Sequence, residues 1–294
     1  RNTANSGSGD GKMQNNILIP VDGSESVEEI LLYVTSITPR SDTIVTLLHV
    51  LPPSRQVNSG SSHAEKLNDA LVNDGWKVSR ELRMGDPIEE IIKLALLLPA
   101  TMLMMSTHGR SGLERIREGS VTEQVVKQSP CPVFILHTTR PDTTKNKGDA
   151  LFRRILVPLD GTQTSAAILK CVERFAKYHD SDVFLFHDEL DSSVGSEKKS
   201  AIREALEEQS VALANTGLSV SLDMSTYRHP IREILNRIDE LNISLVAMAT
   251  HGETGERRAL DESVTAEVIR HANCPLLVWS ADPTCHPADE REVS

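Results

Sequence analysis

The chain has 294 residues, 39% hydrophobic and 25% charged but only 3% aromatic, so its core or cores must be built from Val, Ile, Leu and Ala. Forty-two acidic against 31 basic residues give a formal net charge of -11, a field that repels nucleic-acid phosphates and anionic lipid, and the short Arg153-Arg154 pair does not offset it. The longest apolar run, 94–105, is broken by Pro99 and too short to span a bilayer, so the expectation is a cytoplasmic protein with neither a nucleic-acid nor a membrane partner.

Residues 1–14 carry no apolar stretch of the kind a signal peptide needs and read as a flexible leader. Apolar runs then alternate with helical patterns. Strands are predicted at about 16–21, 43–50, 76–83, 100–107 and 132–138, and helices at about 24–37, 86–98 and 119–129, with a short, poorly defined segment near 62–74. Ser26 and Glu29 have capping-box spacing, and Asp86-Pro87 supplies an N-cap and an N1 proline. After the polar stretch "TTRPDTTKNKGDA" the pattern starts again. The expected divisions are a first domain at 15–140, a linker at 141–152, a second domain at 153–281 and a flexible tail at 282–294.

The restart is a repeat. "NNILIPVDGSES" (15–26) matches "RRILVPLDGTQT" (153–164) and "VTLLHV" (45–50) matches "VFLFHD" (183–188), both at an offset of 138. "GDPIEEII" (85–92) matches "RHPIREIL" (228–235) at an offset of 143, which puts five extra residues between the second and third strands of the second copy. Strands alternating with helices imply an α/β fold with parallel sheets, and right-handed crossovers favour two tandem doubly wound domains of strand order 3-2-1-4-5. In that order a ligand sits at the carboxyl ends of the strands where the order reverses, between strands 1 and 4.

Two segments reach that crevice in the first copy: Pro20 to Asp22 after strand 1, and the loop "MSTHGRSGLERIREGSV" (105–121) after strand 4. Gly109, Gly112 and the Gly119-Ser120 pair at a helix start would let backbone N–H groups approach an anion, and Ser120 adds a hydroxyl. Asp22 would repel phosphates but suits ribose hydroxyls or a base amino group. Together they fit a nucleotide. Glycines after strands are ordinarily turns and Gly-Ser before a helix is ordinarily a cap, so the glycines alone do not carry the case. The chain has no GxxxxGK[ST] and no GxGxxG; "GRSG" matches a KH-type clamp, which the acidic surface disfavours.

"ILIPVDGSE", "LLHV", "GDP", "MSTHGRSGL", "EGSVTEQVV" and "SPCPVFIL", with their echoes, make the chain resemble a tandem universal stress protein from about 15 to 281. The resemblance implies a Rossmann-like, adenine nucleotide alpha hydrolase-like fold. It also implies binding of ATP or AMP, with Mg2+ a permitted companion. The family's ATP-binding signature is G-x-x-G, nine residues, then G-S/T; here Ser106 stands at the first glycine, Gly109 at the second, and Gly119-Ser120 closes it. By resemblance, Asp22 and the backbone of Val50 hold the adenosine end beside Pro20, and Met105 lines the base. Gly109, Gly119, Ser120 and Val121 hold the phosphates, with Ser106 and Arg110 alongside.

The second copy keeps Asp160, Gly252 and Ser263 but has Asp188 for Val50, Ala249 for Ser106, Glu262 for Gly119 and Arg228 for Gly85. A carboxylate among phosphates opposes them by up to about 4 kcal/mol per close pair at an effective dielectric near 20, enough to weaken binding hundreds-fold. The second site is therefore expected to be degenerate. The leading expectation is a stress-response protein that binds adenine nucleotide in its first domain; the alternatives are an interaction module without nucleotide, or a slow ATPase.

No residue here argues for catalysis. His49, His108, His187 and His251 lack a sequence-adjacent partner and read as packing or hydrogen-bonding residues. Cys131 and Cys274 lie at matching places and read as buried hydrophobes, and no Cys/His spacing suggests a metal. The last strands, Val133–His137 and Leu276–Trp279, would be apolar sheet edges. They are expected to pair within the chain as a pseudo-dimer about a pseudo-twofold axis. The family makes a homodimer of whole chains a further expectation.

Overall fold

Residues 15–22, 27–51, 61–98, 100–106, 121–136, 151–189, 195–227, 229–250 and 259–280 are described by the computed structural model. The first copy runs β1 (Asn15–Pro20), α1 (Val27–Ile37), a 3-10 turn (Arg40–Asp42), β2 (Thr43–Leu51), α2 (Ser61–Asn73), β3 (Lys77–Met84), α3 (Pro87–Leu97), β4 (Met102–Ser106), α4 (Val121–Gln128) and β5 (Val133–Leu136). The second runs β6 (Arg154–Pro158), α5 (Gln163–Ala166), α6 (Ile168–His179), β7 (Asp182–Asp188), α7 (Ser196–Ala214), β8 (Ser219–Ser225), α8 (Pro230–Glu240), β9 (Leu245–Thr250), α9 (Ala259–His271) and β10 (Leu276–Ser280). Each copy is a doubly wound parallel sheet, and the first has the expected order 3-2-1-4-5.

Asp86 caps α3 as its sequence implies: its carboxylate accepts from the N–H groups of Ile88 (3.0 Å) and Glu89 (3.1 Å), with Pro87 at N1. Ser26 of the other expected cap lies outside the described residues. The segment near 62–74 is a regular helix, α2, over 13 residues. Among its described side chains it buries Ala64, Leu67 and Leu71, a narrow stripe among mostly charged and polar neighbours, too sparse to read as a helix beforehand.

The strand register refines the insertion. Val50 pairs with Arg83, and its counterpart Asp188 pairs with Ser225, so the third strands are offset by 142. Four of the five extra residues lie before β8, and the fifth lies in the turn after it. Between β7 and β8, α7 has 19 residues against 13 in α2.

The two sheets form one ten-stranded sheet, ordered β3-β2-β1-β4-β5-β10-β9-β6-β7-β8. Every pairing is parallel except the central one, where β5 and β10 run antiparallel with Leu276 opposite Ile135, Leu277 opposite Phe134 and Val278 opposite Val133. Phe134 and Leu277 occupy equivalent places in the repeat, so the pseudo-twofold axis passes through their pair. Side chains alternate about it. Phe134, Leu136, Leu277 and Trp279 join the core under α1, α2, α6 and α7, whereas Val133, Ile135, Leu276 and Val278 join the core under α3, α4, α8 and α9. Both cores are continuous across the junction.

Further contacts fasten it. Arg270 on α9 bonds Glu123 on α4 at 3.0–3.1 Å, and the Ser280 hydroxyl donates to the Lys127 carbonyl at 3.2 Å. Phe152, just ahead of β6, packs edge-on to Phe134 (centroids 5.9 Å apart) and to Phe175 (4.9 Å), and lies 6.0 Å from Tyr33. Three of the chain's five phenylalanines thus meet at this one place. The cluster also takes in His179, 4.8 Å from Phe152 and 4.4 Å from Phe175. Its Nε2 is buried with no hydrogen-bond partner among the described residues, and burial pushes its pKa down to about 4.

Two outcomes are expected. Phe152→Ala should lower the unfolding free energy by about 3–5 kcal/mol, as for other buried aromatics, whereas Val211→Ala on the exposed face of α7 should change it by under about 0.5 kcal/mol; equal denaturant midpoints for the two would refute the junction assignment. His179 is held neutral in the fold, while the unfolded chain takes up its proton near pH 6.5. Its contribution is therefore complete above pH 6.5 and is lost as pH falls toward about 4. The melting temperature of His179→Phe should fall less steeply than that of the parent across this window, and parallel curves would contradict it.

Candidate functional site

Each copy places its crevice at the carboxyl ends of its first and fourth strands, and a histidine shapes the floor. The Val21 N–H donates to the Leu48 carbonyl at 2.8 Å, and His49 Nδ1 donates to the Val21 carbonyl at 2.9 Å. The second copy repeats both: Leu159 N–H to the Phe186 carbonyl, and His187 Nδ1 to the Leu159 carbonyl, each at 2.8 Å. A carbonyl only accepts, so each Nδ1 carries the proton. The imidazole pins the residue ahead of the site aspartate to strand 2, and these histidines have the hydrogen-bonding role their sequence setting suggested.

In the first copy five expected residues lie at or just after the carboxyl ends of β1, β2 and β4. Pro20 ends β1 and Asp22 follows it, exposed. Half-buried Val50 is the penultimate residue of β2, and Met105 and Ser106 close β4, the methionine buried and the serine half-buried. Val121, 41% exposed, opens the described part of α4. Gly109, Arg110, Gly119 and Ser120 lie outside the described residues, as does Gly252 of the second copy.

The second copy engages the same positions internally. Asp160 Oδ1 accepts from the Thr162 N–H (2.8 Å) and hydroxyl (2.6 Å), and Thr162 in turn caps α5 by accepting from the Ser165 N–H (3.1 Å). Asp188 is 6% exposed, and its Oδ1 accepts a short hydrogen bond from the Ser225 hydroxyl. Beside it Glu189 binds Lys199 at 3.1 Å and Arg203 at 3.9 Å, both on α7. That helix also closes on the turn after β6. A Cβ at Gly161, whose φ is +84°, would stand 2.6 Å from Ile202 Cγ2, so only glycine fits there. Ala249 is half-buried near the end of β9.

Glu262 and Ser263 both lie inside α9, which begins at Ala259. From Ser263 onward the N–H groups are past the first turn and bond carbonyls four residues back, so they are not free to receive an anion. Glycine weakens a helix by about 1 kcal/mol relative to the best formers, and glutamate lifts that penalty. Glu262 thus alters the backbone as well as the charge.

Four participants escaped the sequence reading: Thr162, Ser225, Ile202 and Glu189. The Asp-x-Thr spacing could have revealed Thr162. Ser225 could not have been matched to Asp188 while the insertion hid the register of β8. Among the described residues no group of three or more His, Cys, Asp or Glu could hold a metal ion, and no helix is long and apolar enough to cross a membrane.

The chain was compared with known proteins. A universal stress protein of Methanocaldococcus jannaschii is 30% identical over 136 residues, 41% of this chain and 80% of that one. A putative universal stress protein of Staphylococcus aureus is 33% identical over 140 residues, 42% of this chain and 84% of that one. Among solved structures, a universal stress protein from Archaeoglobus fulgidus covers 92% of this chain and 99% of its own with a TM-score of 0.68 at 22% identity, a likeness of fold. Residues 13–137 and 151–280 each match the Universal stress protein family, and the chain therefore belongs to that family, as a member with two tandem copies.

Proposed function

We propose that the protein is a cytoplasmic stress-response protein that binds one adenine nucleotide, ATP or AMP, in the crevice of residues 15–140, and that residues 153–281 form a degenerate, structural copy. The observation that carries this is the contrast between the two crevices. The first carries half-buried Val50 at the end of β2 and half-buried Ser106 at the end of β4. The second has buried Asp188, bonded to Ser225, at the position of Val50, and runs α9 through Glu262 and Ser263.

In the first crevice Asp22 would accept from ribose hydroxyls, held in place by the His49 bond to Val21. The Val50 backbone would meet the base, with Met105 against its face and Pro20 behind. The loop glycines Gly109 and Gly119, with Ser120 and Val121 at the start of α4, would present N–H groups to the phosphates, where a helix N-terminus favours negative charge. Arg110 and Ser106 would stand beside them, and Mg2+ would bridge phosphate oxygens if ATP is the ligand. His49 Nδ1 donates to the Val21 carbonyl. On this reading the site is a binding site, with turnover assigned to no residue.

Gly119→Glu copies the second crevice's substitution and should abolish ATP binding in a calorimetric titration; unchanged affinity would refute the phosphate assignment. Glu262→Gly alone should leave the stoichiometry at one, because Asp188, Ala249 and Arg228 remain in the second copy, and a stoichiometry of two would refute that. Asp22→Ala should weaken binding about 10- to 100-fold, the worth of a charged hydrogen bond. Asp160→Ala should instead lower the melting temperature and leave affinity alone; the reverse pattern would exchange the roles of the two crevices.

A further inference from the structure

The repeat supplies an internal control for the surface, because a feature that the fold itself requires should recur in both copies. The outer strands do not match. In β8, Leu222 and Met224 pack against the core that includes Ile202 and Leu206 of α7. In β3 the equivalent positions are Arg80 and Leu82, as the pairings of Leu47 with Arg80 and Leu185 with Leu222 establish. Leu82 is 62% exposed, and Met84, two residues on along the same face, is 68% exposed. β3 is also a long edge of eight residues, and among the described residues it pairs only with β2. Neither a bulge nor a proline blunts it, and a strand of this kind is a template for another.

We propose that this edge joins two copies of the chain, β3 against β3, antiparallel about a twofold axis at Leu82. Charge complementarity, together with the exposed Leu82 and Met84, selects the partner and the register. An axis perpendicular to the sheet keeps opposed residues on the same face, so only registers centred on a residue are allowed. Centred on Leu82, the pairing sets Leu82 on its copy, Arg80 against Met84, and Glu81 against Arg83 twice over, once on each side of the axis. Centred on Arg80, Glu81 or Arg83, it would set like charges face to face, which opposes pairing; centred on Ser79 it would pair Lys77 with Glu81 but leave exposed Leu82 and Met84 outside the overlap.

Arg83 already reaches Glu90 at 3.3 Å on the α3 side and would bridge it to Glu81 of the second copy. Charges on an edge strand ordinarily prevent pairing. Here Lys77 falls beyond the overlap, and each of the other three charged residues meets an opposite charge or a methionine. β8 offers no equivalent: centred on Met224, it would oppose Asp223 to the uncharged Ser225. The precedent lies in the same sheet, where β5 and β10 pair antiparallel about an axis through equivalent apolar residues.

The test is sedimentation velocity on the full chain from micromolar to millimolar concentration. The parent should reach a dimer of chains. Leu82→Lys, at an exposed position, should remain monomeric with an unchanged melting temperature. Glu81→Arg and Arg83→Glu should each be monomeric alone, but an equimolar mixture should assemble, because both cross-strand pairs are then complementary again. A parent monomeric throughout, a dimer indifferent to Leu82→Lys, or a mixture that fails to assemble would each overturn the proposal.

Discussion

The antiparallel pairing of β5 with β10 is the constraint on which the rest of the architecture depends. In a doubly wound sheet of this order, the fifth strand is an edge, and an apolar edge left open is an invitation to aggregate. Here all four residues of β5 and all five of β10 are buried, which one copy alone could not achieve. The duplication brings the two edges together within a chain, the equivalent residues Phe134 and Leu277 meet at the axis, and two continuous cores follow from the alternation of side chains about it. Phe152, Arg270 and Ser280 then secure a junction that the strands define.

With the halves joined edge to edge, the residues at the strand ends of the second copy serve the fold. Asp160 organises the turn that starts α5, Asp188 is held inside with Ser225, and Glu189 anchors α7 through Lys199 and Arg203. In the second copy Ile202 of α7 packs over Gly161, and Leu222 and Met224 of the outer strand pack against the same core. In the first copy Leu82 and Met84, at the end of the outer strand, are 62% and 68% exposed.

Much of this was legible in the sequence because the repeat supplied two readings of each element. The strand order, the Asp86 cap, the pairing of the last strands and the histidine bonds all follow from local pattern or from position in the fold. α2 was hidden because, among its described side chains, three small or aliphatic residues, Ala64, Leu67 and Leu71, are the buried ones. The partners of Asp160 and Asp188 were hidden for different reasons. Thr162 is close in sequence but reads as a turn residue, while Ser225 is 37 residues away and enters the site only through a register that the insertion displaces. The effect of Glu262 was read as charge alone, because the continuation of α9 through it depends on residues on both sides.

The account's central claim is that one crevice binds and the other does not, and the count of nucleotides per chain tests it most directly. Native mass spectrometry of the full chain with a saturating excess of ATP or AMP should show one nucleotide bound to each chain, whatever the oligomeric state. Two per chain would contradict the closure of the second crevice, and none would contradict the assignment of the first.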